Sequence, residues 1–233
     1  MSGELSILIA TSASIAFFHT LLGPDHYLPF IIMSKARKWS IVKTLWITFF
    51  CGLGHVGSSV VLGIIGVALG IGLSKIVDIE SIRGGIAAWA FIIFGLGYFI
   101  FGLWRVFQNK PHKHMHAHAN GNIHLHSHKH ENEHDHTHNK NITPWILFTI
   151  FVLGPCEPLI PILMYPSAQN SIGGLIIVTL IFTVITISTM LIVVFLASYG
   201  INILPFGKLE KYTHAIAGAT ILLSGIAIVF WEL

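Results

Sequence analysis

Six apolar runs, at about 5–32, 44–73, 84–107, 144–165, 172–199 and 214–231, occupy most of the chain. A helix that crosses the hydrocarbon core of a bilayer needs roughly 20 such residues, and each run is close to or above that length. The runs predict an all-α integral membrane protein with six transmembrane helices and both termini on one side. The chain is 54% hydrophobic and 10% charged, whereas a soluble domain carries about 25% charged residues. Its core is therefore expected to form against lipid and neighbouring helices.

Two windows interrupt this pattern. One is Gly23-Pro24-Asp25-His26-Tyr27-Leu28-Pro29; the other is Gly154-Pro155-Cys156-Glu157-Pro158-Leu159-Ile160-Pro161. They lie 131 residues apart with Gly, Pro and Leu in register. Asp25 and Glu157 read as the acidic residues deepest in the apolar spans, where a charge costs at least about 2.5 kcal/mol and normally marks a functional site. Pro24, Pro29, Pro155, Pro158, Pro161 and Pro166 are six of the nine prolines. Proline frees backbone carbonyls, which membrane proteins tolerate where a broken helix lines a cavity. Ordinary kinking is the alternative, but it leaves the adjacent charges unexplained.

Lys35, Arg37, Lys38, Lys43, Arg105, Lys110, Lys113, Lys129, Lys140, Lys208 and Lys211 fall on one side, 11 of the 13 basic residues; only Lys75 and Arg83 fall on the other. By the positive-inside rule the richer side is cytoplasmic and both termini are outside, in a multi-pass plasma (inner) membrane protein. No basic n-region precedes the first run, so a cleaved signal peptide is not expected. The segment 108–143 divides the chain into three-helix repeats at 1–107 and 144–233. Ile86-Ala87 and Gly95 match Ile216-Ala217 and Gly225 at a separation of 130. Because three spans is an odd number, the second repeat would be inverted, with broken helices in spans one and four and a site at mid-membrane between the halves. Chance matching of apolar sequence is the alternative.

The candidate metal ligands are His19, Asp25, His26, His55, Cys156 and Glu157. If helix persists from 19 to 26, a separation of seven residues puts His19 and His26 on one face. His55 sits among small residues, Gly52, Gly54, Gly57, Ser58 and Ser59, that permit close helix approach. Imidazole with one or two carboxylates suits a borderline divalent ion such as Ni²⁺ or Co²⁺, and Zn²⁺ is also compatible. Each residue has a plainer alternative: a packing cysteine at Cys51 or Cys156, a helix-contact histidine at His55, an interfacial histidine at His214. A further 11 of the 15 histidines (His112, His114, His116, His118, His124, His126, His128, His130, His134, His136 and His138) fill a polar loop. Their spacing of two is not a helical face, and the composition predicts a disordered cytoplasmic segment that captures metal ions. A pH-sensing tract is the alternative.

The run His19-Thr20-Leu21-Leu22-Gly23-Pro24-Asp25-His26 resembles the signature of the nickel/cobalt transporter superfamily. Its H-x5-D-H spacing is similar to HupE/UreJ proteins and one residue longer than the NiCoT permease motif. The span-two His55, the His-rich loop after span three and Pro155-Cys156-Glu157-Pro158 resemble the NicO/RcnA exporters. The resemblance implies transport of Ni²⁺ or Co²⁺ as substrate, with no resident cofactor, and with efflux favoured over uptake. An uptake permease of the same superfamily is one alternative. Pro155-Cys156-x-Pro is also similar to the Pro-Cys elements of CcdA-type thiol–disulfide relays, although Asp25 occupies the position opposite Cys156 in the first window. A sensor or accessory protein that binds metal without moving it is a third. No nucleotide-binding pattern occurs, so the chain is expected to be non-enzymatic and not ATP-driven. The expected surroundings are lipid and a metal ion, not nucleic acid.

Overall fold

In the computed structural model, residues 3–108, 112–117, 123–128, 142–168, 171–203 and 211–231 are described. The elements are α1 (Gly3–Leu22), a 3₁₀ turn (Pro24–His26), α2 (Leu28–Ala36), α3 (Ile41–Ala68), α4 (Leu73–Gln108), β1 (His112–Ala117), β2 (Ile123–His128), α5 (Thr143–Leu153), α6 (Leu159–Ala168), α7 (Ile172–Ile203) and α8 (Thr213–Trp231).

The chain is a multi-pass integral membrane protein. Its helices α1, α3, α4, α7 and α8 are long and apolar enough to cross a bilayer. Large apolar side chains such as Ile93 (69% exposed) and Phe230 (76%) face outward, while Ser12, Thr20, His26, Thr48, His55, Ser59 and Glu80 are buried. Buried hydroxyls find partners at short range: Thr48 Oγ1 donates to the Thr44 carbonyl at 2.9 Å, and Thr20 Oγ1 to that of Ala16 at 2.8 Å.

One of the sequence-based expectations holds and two change. The segment 144–165 is broken as expected, into two short helices, α5 and α6, separated by a stretch that is not helical. The third span begins at Leu73 rather than near 84, which brings Glu80 and Arg83 into a helix that had been read as starting after them. The His-rich segment, expected to be disordered, contains an antiparallel hairpin that pairs His112 with His128, His114 with His126 and His116 with His124. Alternation of residue type at every second position suits a strand as well as a coil. His118, His130, His134, His136 and His138 lie outside the described residues.

Local chemistry sets the helix ends. Ser40 caps α3 by accepting the Lys43 N–H at 3.3 Å. At its far end Gly70 takes φ +65°, and Ile71 N–H reaches the Gly66 carbonyl at 2.8 Å, a left-handed glycine closure. Helices α4 and α8 form the largest interhelical contact among the described residues. Gly95 meets the backbone of Leu222 and Gly225 meets that of Ile92. The two glycines and their two partners are each 130 residues apart, so the contact is reciprocal.

Candidate functional site

Both Gly-Pro windows are true breaks. In the first, Gly23 N–H closes α1 on the His19 carbonyl (3.0 Å), and Pro24 opens a single 3₁₀ turn closed by His26 N–H on the Gly23 carbonyl (3.1 Å). A Cβ on Gly23 would stand 2.6 Å from His26 Nδ1 and 2.9 Å from Asp25 Oδ1, so only glycine lets the turn fold this tightly. In the second, Gly154 N–H ends α5 on Ile150 (2.9 Å), and Leu159 N–H starts α6 on the Cys156 carbonyl (3.0 Å).

The first break brings three of the six candidate ligands together. The rings of His19 and His26 lie 4.8 Å apart at 83°, and those of His26 and His55 lie 5.1 Å apart at 90°. One ligand nitrogen from each lies within 4.8 Å of the others. The Nε2 atoms of all three are buried without a hydrogen-bond partner, an arrangement that normally requires an explanation. Their opposite nitrogens are engaged where a partner is available. His26 Nδ1 faces the Gly23 carbonyl at 3.1 Å and Asp25 Oδ1 at 3.2 Å. His55 interacts with the Phe151 carbonyl. Both partners of His26 Nδ1 are acceptors, so Nδ1 carries a proton; a neutral His26 then has its lone pair on Nε2, as in a metal-ligating histidine backed by carboxylate or carbonyl.

The remaining candidates are placed differently. Asp25 contacts His26 through Oδ1, 3.2 Å from Nδ1. Glu157 is exposed, so the second window carries no buried carboxylate. Cys156 is fully buried among Ala16, Val56 and Leu159, with its N–H on Ser59 Oγ at 3.2 Å. Cys51 is buried on α3 in the neighbouring apolar cluster, and both cysteines are free thiols. His214 stands apart, its ring nitrogens 2.8 Å from Tyr98 Oη and 2.9 Å from Arg105 Nη1.

Residues at the second break were not anticipated. Glu80 is 0% exposed, with Oε1 3.0 Å from Arg83 Nη1. Arg83 donates to the carbonyls of Leu153 (3.2 Å) and Gly154 (2.8 Å) and to the hydroxyls of Ser58 (3.1 Å) and Ser59 (2.8 Å). It thereby caps the C-terminus of α5, which the proline break leaves without helical donors. The signal available in the sequence was the spacing Glu80-x-x-Arg83, which pairs opposite charges on one helical face.

A model of the family described as "Cytochrome C biogenesis protein transmembrane region" matches residues 28–227. No curated protein and no solved structure matches the chain. The family match overturns the resemblance to the nickel/cobalt transporter superfamily, and with it the expectation of a nickel or cobalt transporter. The H-x5-D-H motif is short, and its residues His19, Asp25 and His26 all precede the matched segment. A match that runs from the start of α2 into α8, taking in the second break and both cysteines, outweighs it.

Proposed function

Because the chain belongs to the cytochrome c biogenesis protein transmembrane family, we propose that it relays reducing equivalents across the membrane by thiol–disulfide exchange. The observation that carries this proposal is the family match, whose span includes the only two cysteines of the chain, Cys51 and Cys156. Oxidation of the pair forms one disulfide and releases two electrons and two protons. A dithiol donor on one side regenerates the pair, and a disulfide acceptor on the other oxidises it. Cys156 contacts Ser59, eight residues along α3 from Cys51 and thus about 12 Å in axial rise. A disulfide needs Cα atoms within roughly 7 Å. Closing the pair therefore requires the second break to move along α3, and its non-helical residues 154–158 are the segment able to yield.

The architecture that suits this activity is a six-crossing 3+3 inverted repeat, with α5 and α6 together as the fourth crossing. The reciprocal Gly95–Leu222 and Gly225–Ile92 contacts support it, as do the two breaks in register. The distribution of basic residues supports cytoplasmic loops after spans one, three and five in a plasma (inner) membrane. The test uses the full chain in proteoliposomes with a thiol donor inside and a disulfide peptide outside. Transfer is expected to stop in Cys51→Ser and in Cys156→Ser. Undiminished transfer in the double variant would refute the relay.

A second reading rests on the three unpartnered imidazole nitrogens: His19, His26 and His55 hold a resident transition-metal ion. Zn–N distances of about 2.0–2.1 Å put tetrahedral ligand nitrogens roughly 3.4 Å apart, so rings whose nitrogens now lie within 4.8 Å need to close by at most about 1.4 Å. Imidazole nitrogen suits zinc, copper or iron. Asp25 and the Gly23 carbonyl would fix the His26 tautomer. Elemental analysis of purified protein, wild type against His26→Ala, tests this. Equal metal content in both would remove it.

A further inference from the structure

Glu80 is the one fully buried carboxylate among the described residues. Its Oε2 accepts from Ser59 Oγ–H at 3.3 Å. Its Oε1 is paired with Arg83 Nη1 at 3.0 Å, yet is too poorly aligned for a hydrogen bond. The same Ser59 oxygen accepts from Arg83 Nη2 at 2.8 Å and from the Cys156 N–H at 3.2 Å. One hydroxyl thus joins a carboxylate, a guanidinium and the residue that carries the buried thiol. The other charged groups acting on Cys156 are Asp25 from the first break and Glu157 beside it. Both are acids; Asp25 is held by His26 and Glu157 is exposed.

Arg83 is thus the one cation whose charge acts on both acids, Glu80 and Cys156. In a low-dielectric interior one cation neutralises one anion, and a second anion is strongly disfavoured. We propose that Glu80 is the proton acceptor for Cys156, the two residues sharing one negative charge beside Arg83. This rests on the thiol relay proposed above. In the step, Cys156–SH gives its proton to the Glu80 carboxylate, so the three groups remain neutral in sum. The thiolate attacks one sulfur of a protein disulfide, a new S–S bond forms, the old one breaks, and the departing sulfur leaves as a thiolate that takes the proton back from Glu80. No net oxidant or reductant is consumed in the exchange.

The test uses the full chain in proteoliposomes with Cys51→Ser, leaving Cys156 as the sole thiol. Its modification by N-ethylmaleimide is followed across a pH series. Glu80→Gln frees Arg83 to favour the thiolate, so the midpoint is expected to fall and the rate at neutral pH to rise about tenfold or more. Glu80→Asp is expected to restore the original profile. A purely structural role would change the rate at every pH without moving the midpoint. The infrared S–H stretching band reads the same protonation where maleimide cannot reach the thiol. Glu80→Leu, with the same expected shift, replaces Glu80→Gln if that variant misfolds. An unmoved or raised midpoint overturns the proposal. A shifted midpoint in a protein whose double cysteine variant still transfers electrons would refute the relay and leave the Glu80–Cys156 coupling standing.

Discussion

Asp25→Asn is the most discriminating single change at the histidine centre. Asp25 Oδ1 lies 3.2 Å from His26 Nδ1, and the Gly23 carbonyl lies 3.1 Å from the same atom. Loss of such a backing group typically lowers metal affinity about 10–100-fold, or about 1.4–2.7 kcal/mol. The Gly23 carbonyl still holds Nδ1–H in the variant, and the substituted amide keeps an oxygen acceptor, so the expected loss is at the lower end, about tenfold. Asp25→Ala removes the acceptor as well and should approach the upper end. His26 stands between His19 and His55, 4.8 and 5.1 Å from them by ring centroid, so His26→Ala should cost well over 100-fold, beyond that range. The assay is a zinc titration against a calibrated chelator in detergent, with thermal unfolding measured in parallel. Saturation to about 100 times Kd should stabilise the wild type by about 2.7 kcal/mol. The proposed order is His26→Ala, then Asp25→Ala, then Asp25→Asn. Equal losses in His26→Ala and Asp25→Asn would make Asp25 a direct ligand and refute this assignment of roles; wild-type affinity in Asp25→Ala would refute the backing role itself.

Arg83→Gln leaves Glu80 buried without its cation and strips two carbonyl caps, and should destabilise the protein by about 3–5 kcal/mol. Glu80→Gln in the same chain should recover part of that loss, measured by detergent-phase thermal unfolding. Gly95→Val places side-chain atoms against the Leu222 backbone, an overpacking expected to cost about 1–3 kcal/mol, and Gly225→Val should match it if the α4–α8 contact is reciprocal. Tyr98→Phe removes the 2.8 Å bond to His214 and should cost only about 1 kcal/mol, with no effect on thiol transfer or metal content.

Apolar run length was sufficient to place α1, α3, α7 and α8, because a lipid-facing helix is apolar over most of its surface. It failed at α4, where Glu80 and Arg83 read as a loop. Hydropathy adds the two charges, whereas in space they cancel one turn apart. The break in the run at 144–165 was legible, since Pro155 and Pro158 cannot continue a helix and do split the segment into two. At the site, the sequence named the three imidazoles, but the helical face expected for His19 and His26 does not persist: α1 ends at Leu22, and the tight turn at Gly23 brings His26 to His19. Glu157 was misplaced because its window was assumed to point inward along its whole length. The structure buries Cys156 and exposes Glu157, and only the turn geometry decides between adjacent residues. The family could not be read from a short motif that precedes the matched segment.

The capping of α5 by Arg83 has a consequence for how the protein is made. The Leu153 and Gly154 carbonyls belong to the C-terminal half, and their guanidinium donor belongs to the N-terminal half. During synthesis α4 enters the membrane with its charged pair before α5 exists, and the second break cannot settle in lipid until α4 stands beside it. The halves are therefore expected to depend on each other for folding. Cut within 108–143, each should be degraded when made alone and rescued when both are made together, with Arg83 the residue on which that rescue depends.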